Sequence, residues 1–326
     1  MKVTIKDIAK EAGVSVSTVS YVVNKTGPVS KEKREKVQKL IDKYNYQPNI
    51  LARNLKKQRS KTIGVVFNVG HHGPDKKIIE AISTCCDMND YNILLVAHKK
   101  EPTDTFRFLV ENRVEGVIFI GNFTHIHDFP LPKDLPIVFS YGTHKDRMGY
   151  SVLPNDEKGG AVAAQVLIDA GCKKLAMITG NTKWQASKKR TEGFVNAAKA
   201  NNTEIVKIVN ATFEDVEYHY GQASLLFEGS QIPDGIFCHS DVIAFSVYHV
   251  LQDKNIQIGK DIKVIGFDDD PYCSFLRPSL TSISMPLFEM GVHSAELLFQ
   301  AIENKEVDSD TPMLLPCELI ERDSTK

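Results

Sequence analysis

The sequence predicts an α/β protein in two parts, a small all-α head followed by a two-lobed core of parallel sheets. Three observations carry that reading. Two short amphipathic segments separated by Gly13 open the chain. From Lys61 onward, short apolar runs alternate with helical patterns, the order that builds parallel sheets covered on both faces. Charge divides at the same place. Residues 1–60 hold fourteen Lys or Arg against five acids, a net +9, and the remainder carries −10.

The bounds are consistent with this. A chain of 326 residues is too long for one typical hydrophobic core. Hydrophobic and charged shares of 42% and 25% argue against wholesale disorder. No apolar run approaches the roughly 18 residues that span a bilayer. Met1 to Gly13 hold no apolar leader stretch, so a cytoplasmic location is expected. Cys85, Cys86, Cys172, Cys238, Cys273 and Cys317 are scattered without a CxxC pair. They read as small buried hydrophobes in a reducing compartment, not as disulfides or a zinc site.

The head elements follow in order. Thr4 can cap a first helix, with Asp7 three residues on at its positive end. Ile5, Ile8, Ala9 and Ala12 give that helix one apolar stripe, and Gly13 stops it. Ser15 caps a second helix that turns Val19, Val22 and Val23 inward. Val16, Ser17, Thr18, Ser20 and Tyr21 lie on its other side, short groups and one ring able to read base edges in a major groove. Ser30 caps a third helix carrying Val37, Leu40 and Ile41 to Tyr44. A basic head on an acidic body suits a polyanion partner, though charge alone equally describes a solvated face.

In the core, Thr62–Phe67, Asn92–Ala97, Gly116–Ile120 and Ile137–Ser140 read as buried strands. Lys76–Met88, Thr103–Arg113 and Asp156–Ala170 read as their helices. A second series follows, with strands Lys174–Thr179, Ile205–Val209, Gly235–Cys238 and Lys263–Gly266. Its helices are Lys188–Ala200, Tyr218–Phe227 and Asp241–Asp253. Two like series suggest two lobes. Ligands bind beyond the carboxyl ends of such strands. That rule selects His71-His72, Gly121-Asn122, Gly142, Asn181 to Lys189, Ser240-Asp241 and Asp268 to Asp270.

Thr4-Ile5-Lys6-Asp7-Ile8-Ala9, Ala12-Gly13-Val14-Ser15, Ser17-Thr18-Val19-Ser20 and Val22-Val23-Asn24 resemble the headpiece of the lactose-repressor (LacI/GalR) family. Val29-Ser30, Arg34 to Val37, Tyr46 to Asn49 and Ala52 to Leu55 continue the likeness, and it runs more loosely to Glu321-Arg322-Asp323-Ser324. The resemblance implies a homodimeric transcriptional regulator on pseudo-palindromic DNA, without a cofactor. It implies a headpiece over 1–46, a hinge over 47–61 and a core over 62–326 similar to periplasmic sugar-binding proteins. The first lobe would comprise about 62–153 plus 286–312. The second would comprise about 154–285 plus 313–326. Helix Met290–Ile302 would then return to the first lobe, and a final strand Met313–Leu319 to the second.

Matched position by position, the family's main base readers fall at Val16, Ser17 and Tyr21, where Tyr21 departs from the usual Arg or other polar residue. Further DNA contacts are expected from Thr4, Ser15, Thr18, Ser20, Asn24, Asn49, Ala52 and Arg53. Asn49 can cap a hinge helix of about eight residues, too short to be stable alone in water. The family's minor-groove wedge falls at Leu55, whose other reading is packing on the head or body. The family's ligand-clamping arginine falls at Arg190, and a family acid that accepts hydroxyl hydrogen bonds falls at Asp268. Asp268 reads equally as a turn acid, whereas Asp241 reads as a helix cap before a ligand contact. With them, His71, Asn122, Ser240, Trp184 and Phe213 complete the expected effector site. The two rings could stack on a ligand or simply pack.

The effector is expected to be a sugar or sugar phosphate, since Trp184 stands where purine-sensing members have Arg and Val69–Asp75 lacks their aromatics. Lys183, Lys188 and Lys189 keep a phosphorylated ligand open. A global regulator using a phosphoprotein co-effector is the alternative within the class, and a sugar-binding receptor without DNA function lies outside it. No enzyme is expected, because GxSxG, a Walker loop, HExxH and strand-borne GxGxxG are all missing. His125 and His127 read as surface, and the three acids from Asp268 as capping and not as Mg²⁺ ligands.

Overall fold

The computed structural model describes residues 3–46, 59–68, 74–98, 102–121, 132, 134–142, 150–212, 215–305 and 311–326. The chain divides into two compact units, residues 1–60 and 61–326. In the head, helices α1 (Ile5–Ala12), α2 (Val16–Val23) and α3 (Lys31–Lys43) surround a core of Ile8, Ala9, Ala12, Val19, Val22 and Val37. Thr4 and Asp7 cap each other. The Thr4 N–H donates to Asp7 Oδ2 at 2.9 Å, and the Asp7 N–H donates to Thr4 Oγ1 at 3.4 Å. Gly13 ends α1 at φ +66°, a left-handed conformation that costs glycine least. Ser15 accepts the Thr18 N–H at 3.1 Å and so begins α2. Ser30 holds the same position before α3, but its hydroxyl makes no cap bond. Glu11 fastens the end of α3 to α1, accepting from Lys43 Nζ at 3.0 Å and from Tyr44 Oη at 2.8 Å.

The core holds two six-stranded sheets. The first contains β1 (Thr62–Asn68), β2 (Asn92–His98), β3 (Val117–Ile120), β4 (Ile137–Ser140), β5 (Tyr150–Pro154) and β11 (Met313–Leu315), in the order β2-β1-β3-β4-β5-β11. Every pairing in it is parallel. Apolar side chains cover both faces, as a parallel sheet requires. Ile63, Val65 and Ile118 join one cluster with helices α4 (Pro74–Met88) and α10 (Leu287–Ile302). Val66, Val117 and Phe119 join another with α5 (Pro102–Glu111), where Phe106, Phe119 and Phe139 stack at 5.8 and 5.6 Å.

The second sheet contains β6 (Lys174–Thr179), β7 (Glu204–Asn210), β8 (Gly235–Cys238), β9 (Lys263–Asp268), β10 (Thr281–Ser284) and β12 (Glu318–Ile320), in the order β7-β6-β8-β9-β10-β12. Its helices are α6 (Asp156–Asp169), α7 (Gln185–Ala200), α8 (Val216–Leu225) and α9 (Asp241–Asp253). The chain crosses between sheets three times, after β5, after β10 and after β11.

One expectation needs correction, and strand β10 has no counterpart among the expected strands. The single strand Met313–Leu319 is two strands: Leu314 pairs with Leu153 in the first sheet, and Leu319 pairs antiparallel with Ile283 in the second. Pro316 stands between them and has no N–H to donate, so the ladder breaks where the chain crosses. Residues 313–315 therefore belong to the first lobe. Strand β10 went unread because Thr-Ser-Ile-Ser looks polar; its hydroxyls are paired inside, Thr281 with Thr325 and Ser282 with Asp241, each at 2.8 Å.

One packing detail prepares the site. Helices α6 and α7 meet backbone to backbone at two glycines. A Cβ on Gly160 would lie 2.1 Å from the Arg190 carbonyl oxygen, and one on Gly193 would lie 1.9 Å from that of Glu157. Only hydrogen fits at such a distance. The close crossing brings Asp156, first residue of α6, beside Arg190 of α7.

Candidate functional site

Arg190 is 1% exposed, and its guanidinium is almost fully engaged. Nε donates to Asp156 Oδ1 at 2.7 Å. Nη1 donates to the His239 carbonyl at 2.7 Å and reaches Asp268 Oδ1 at 3.4 Å. Nη2 reaches the Tyr141 hydroxyl at 3.3 Å and Met285 sulfur at 3.5 Å. The plane lies over Phe267, 3.5 Å from the ring centroid. Burying an unpaired cation costs several kcal/mol, so the two carboxylates and the ring are what make this position tolerable. Burial works against the charge, but Asp156, Tyr141 and Asp268 outweigh it and hold the guanidinium above its ordinary range.

Tyr141 follows β4 in the first sheet, whereas Arg190 belongs to the second lobe, so their contact bridges the lobes. Beside it opens a small cleft, walled by Tyr141, Gly142, Leu153 and Pro154 on one side and by Asp156, Gln185 and Ala186 on the other. These walls are the carboxyl ends of β4 and β5 and the first turns of α6 and α7. The strand-end rule pointed to this rim but named only Gly142 and the 181–189 stretch within it. Tyr141 itself was missed; its φ of +61°, rare for an aromatic residue, is visible only in the folded chain.

The other expected residues divide sharply. Asp268 faces Arg190, and burial, with Asp241 and Asp156 adding to it, raises its carboxyl while Arg190 pulls it back. Asp241 is a correction. It neither caps α9 nor reaches the cleft; fully buried, it accepts the Asp270 N–H at 2.7 Å and the Ser282 hydroxyl at 2.8 Å. It thus fastens the β9–β10 connection from inside. Ser240 precedes α9 and Trp184 precedes α7, both half-buried. His71, Asn122 and Phe213 lie outside the described residues, as do His125 and His127.

Of the three acids, Asp269 pairs with Arg322 at 2.7 Å and Asp270 caps the short helix Pro271–Ser274 through Tyr272 N at 2.8 Å. Among the described residues no three His, Cys, Asp or Glu gather as a metal site. His239 was not anticipated. Its Nε2 lies 3.4 Å from Ser187 Oγ, and burial, with Arg190 beside it, holds it well below the ordinary histidine range.

In the head, α2 presents Val16 and Tyr21, 42% and 43% exposed, with Ser17 exposed between them. The Ser15 hydroxyl lies 2.7 Å from Ser17 Oγ and 2.8 Å from Thr18 Oγ1, so this end of α2 carries a connected set of hydroxyls. Asn24 Nδ2 donates to the Ser20 carbonyl at 2.8 Å and approaches Ser20 Oγ at 3.2 Å. Thr4 Oγ1 donates to Asp7 at 2.6 Å. Asn49, Ala52, Arg53 and Leu55 lie outside the described residues.

Known proteins match both parts. Residues 4–49 match the bacterial regulatory proteins of the lacI family, and residues 164–325 match the periplasmic binding protein-like domain. The ribose operon repressor of Haemophilus influenzae is 33% identical over 319 residues, 96% of each chain. The HTH-type transcriptional repressor PurR of Vibrio vulnificus is 32% identical over 333 residues, covering 99% of this chain and 98% of its own. In fold, the lac repressor dimer bound to operator and the anti-inducer ONPF superposes with a TM-score of 0.85 at 24% identity, covering 100% of this chain and 99% of that one. With helix-turn-helix head, crossed two-lobed core and end-to-end sequence similarity in agreement, this chain belongs to the lacI family of bacterial regulatory proteins.

Proposed function

We propose that the protein is a homodimeric transcriptional repressor whose hold on a pseudo-palindromic operator is set by a small hydroxylated molecule in the core cleft. The observation that carries the effector half is the contact of Arg190 with Tyr141 beside that cleft. A ligand that replaces the tyrosine hydroxyl on the guanidinium acts on both lobes at once. It can change DNA affinity only by binding one lobe arrangement better than the other. Asp156 pairs with the one guanidinium and Asp268 faces it, so no free positive charge is left there for an anion, which favours an uncharged polyol such as a sugar. A sugar phosphate is the second reading, supported by Lys183 and Lys188, both exposed around the start of α7.

The head supports the DNA half through the net +9 of residues 1–60 and the exposed set Val16, Ser17 and Tyr21 on α2. One experiment tests both halves. A thermal-shift screen of sugars and sugar phosphates finds the ligand; at 100 times its Kd it adds about 2.7 kcal/mol of stability. Operator affinity is then measured with and without it across a salt series. If a dimer neutralises about 8 phosphates, log affinity falls with log salt at a slope near −7. A flat salt response removes the DNA reading, and a ligand that stabilises the core without moving operator affinity removes the coupling.

A further inference from the structure

Tyr21 does not stand free on the recognition helix. The turn after α2 folds back beneath it: the Thr26 N–H donates to the Tyr21 carbonyl at 3.0 Å, Lys25 is at φ +54° and Gly27 at φ +74°. This brings the Gly27 Cα against the aromatic ring. A Cβ at Gly27 would lie 2.8 Å from both Cγ and Cδ1 of Tyr21 and 3.1 Å from Cδ2. Those atoms are the root of the ring, next to the helix backbone, not the end of a flexible chain. The whole ring would have to turn about its first side-chain torsion to make room. Yet the side chain stays 43% exposed. One part of the ring is seated on glycine, and the rest is offered to solvent.

We propose that Gly27, outside the recognition helix, is a positioning residue for Tyr21 and thereby a determinant of which operator sequence the head selects. The inference rests on the reading of α2 as the DNA-reading helix. An exposed aromatic side chain usually samples several staggered rotamers, and each aims the hydroxyl at a different place. Seating the ring on a residue without a side chain leaves one orientation in contact and cuts the entropy lost on docking. Any side chain at position 27 removes the seat. For most residues it also forces a left-handed backbone, which Asn tolerates best after glycine.

The test uses the full-length protein as wild type, Gly27→Asn, Tyr21→Ala and the double variant. Each is taken through selection from DNA with randomised half-sites, then titrated on the selected and on bulk DNA. Gly27→Asn keeps the left-handed turn accessible but carries the offending Cβ, and a thermal melt of each variant reports folding. The expected result is a drop of about tenfold in discrimination at one base pair per half-site, the scale of a lost base contact, with bulk-DNA affinity within about twofold. In the Tyr21→Ala background the second change should alter discrimination by less than about twofold, because the ring it acts through is gone.

An unchanged preference in Gly27→Asn overturns the inference. So does an equal loss of discrimination with and without the tyrosine, and so does a uniform loss of affinity for every sequence. If wild type selects no sequence at all, the failure lies with the DNA-reading assignment, and the two outcomes are distinguishable.

Discussion

The two candidate functional regions organise their side chains in opposite ways. Tyr21 and Val16 stand on the outside of a small three-helix head, whereas Arg190 sits 1% exposed between two carboxylates, a carbonyl and a ring. In the head, orientation comes from local geometry: a capping serine, a left-handed turn, a glycine seat. In the core it comes from parts of the chain far apart in sequence, since Asp156, His239 and Asp268 lie 34, 49 and 78 residues from Arg190. An exposed reader can be changed with little cost to the fold. A buried clamp cannot.

The largest effect should come from breaking that clamp. Arg190→Met leaves Asp156 and Asp268 without their partner, and removing one member of a buried charge pair costs about 3–5 kcal/mol. The denaturation midpoint of the core should fall accordingly, and the effector response should vanish with it. Were the loss under about 1 kcal/mol, the guanidinium would be dispensable to the core and the contrast with the head would fail.

Gly193→Ala forces a methyl group against the Glu157 carbonyl, and overpacking of this kind costs about 1–3 kcal/mol. It should also loosen the Arg190–Asp156 pair, so ligand affinity should fall along with stability; a melt and a ligand titration check both.

Asp241→Asn presents an amide N–H or an oxygen where two donors now converge, leaving one buried group unpaired at about 1–3 kcal/mol. Burial raises the Asp241 carboxyl to about 6 from an ordinary value of 3.8. A raised folded value means that the wild-type contribution is full below about 3.8 and is lost as pH rises toward 6. The difference between wild type and variant should therefore shrink from pH 4 to pH 6 and level off above it. A difference that grows with pH over this window would contradict the assignment of Asp241 as a desolvated carboxylate.

Changes in the head should be smaller. Ser15→Ala removes the cap of α2 and costs about 1 kcal/mol, read from the melt of the head. Glu11→Gln weakens an exposed pair with Lys43, which solvent screens, so the melt should move least of all. If Glu11→Gln proved costlier than Arg190→Met, the comparison between exposed and buried organisation would be inverted.

The legible part of the molecule was local. The capping pair Thr4 and Asp7, the Gly13 stop and the inward Val19 and Val22 all follow from residues within a few positions of one another, and all are found as read. So are the apolar strands of both sheets, because burial on two faces leaves continuous runs of Ile, Val and Phe. Strand β10 escaped because its polar residues look like a loop until Asp241 and Thr325 are seen beside them. Likewise Met313–Leu319 looks like one strand until its halves are seen in different sheets.

Sequence by itself therefore determined the family, the order of the helices and of the apolar strands, the basic head and the presence of an arginine and an acid at the strand-end rim. Tertiary structure alone decided which acid serves which end. Asp268 meets Arg190, whereas Asp241, which the sequence offers as a helix cap before a ligand contact, turns inward to hold a loop. It also supplied Tyr141 and His239 as partners of the clamp and Gly27 as the seat of Tyr21. The physical reason is range. Periodicity, capping and turn chemistry act over a few residues and leave a mark in the sequence. The pairing of buried charges is settled by which distant segments the packed backbones bring within hydrogen-bond reach, and here two glycines at the α6–α7 crossing set that distance.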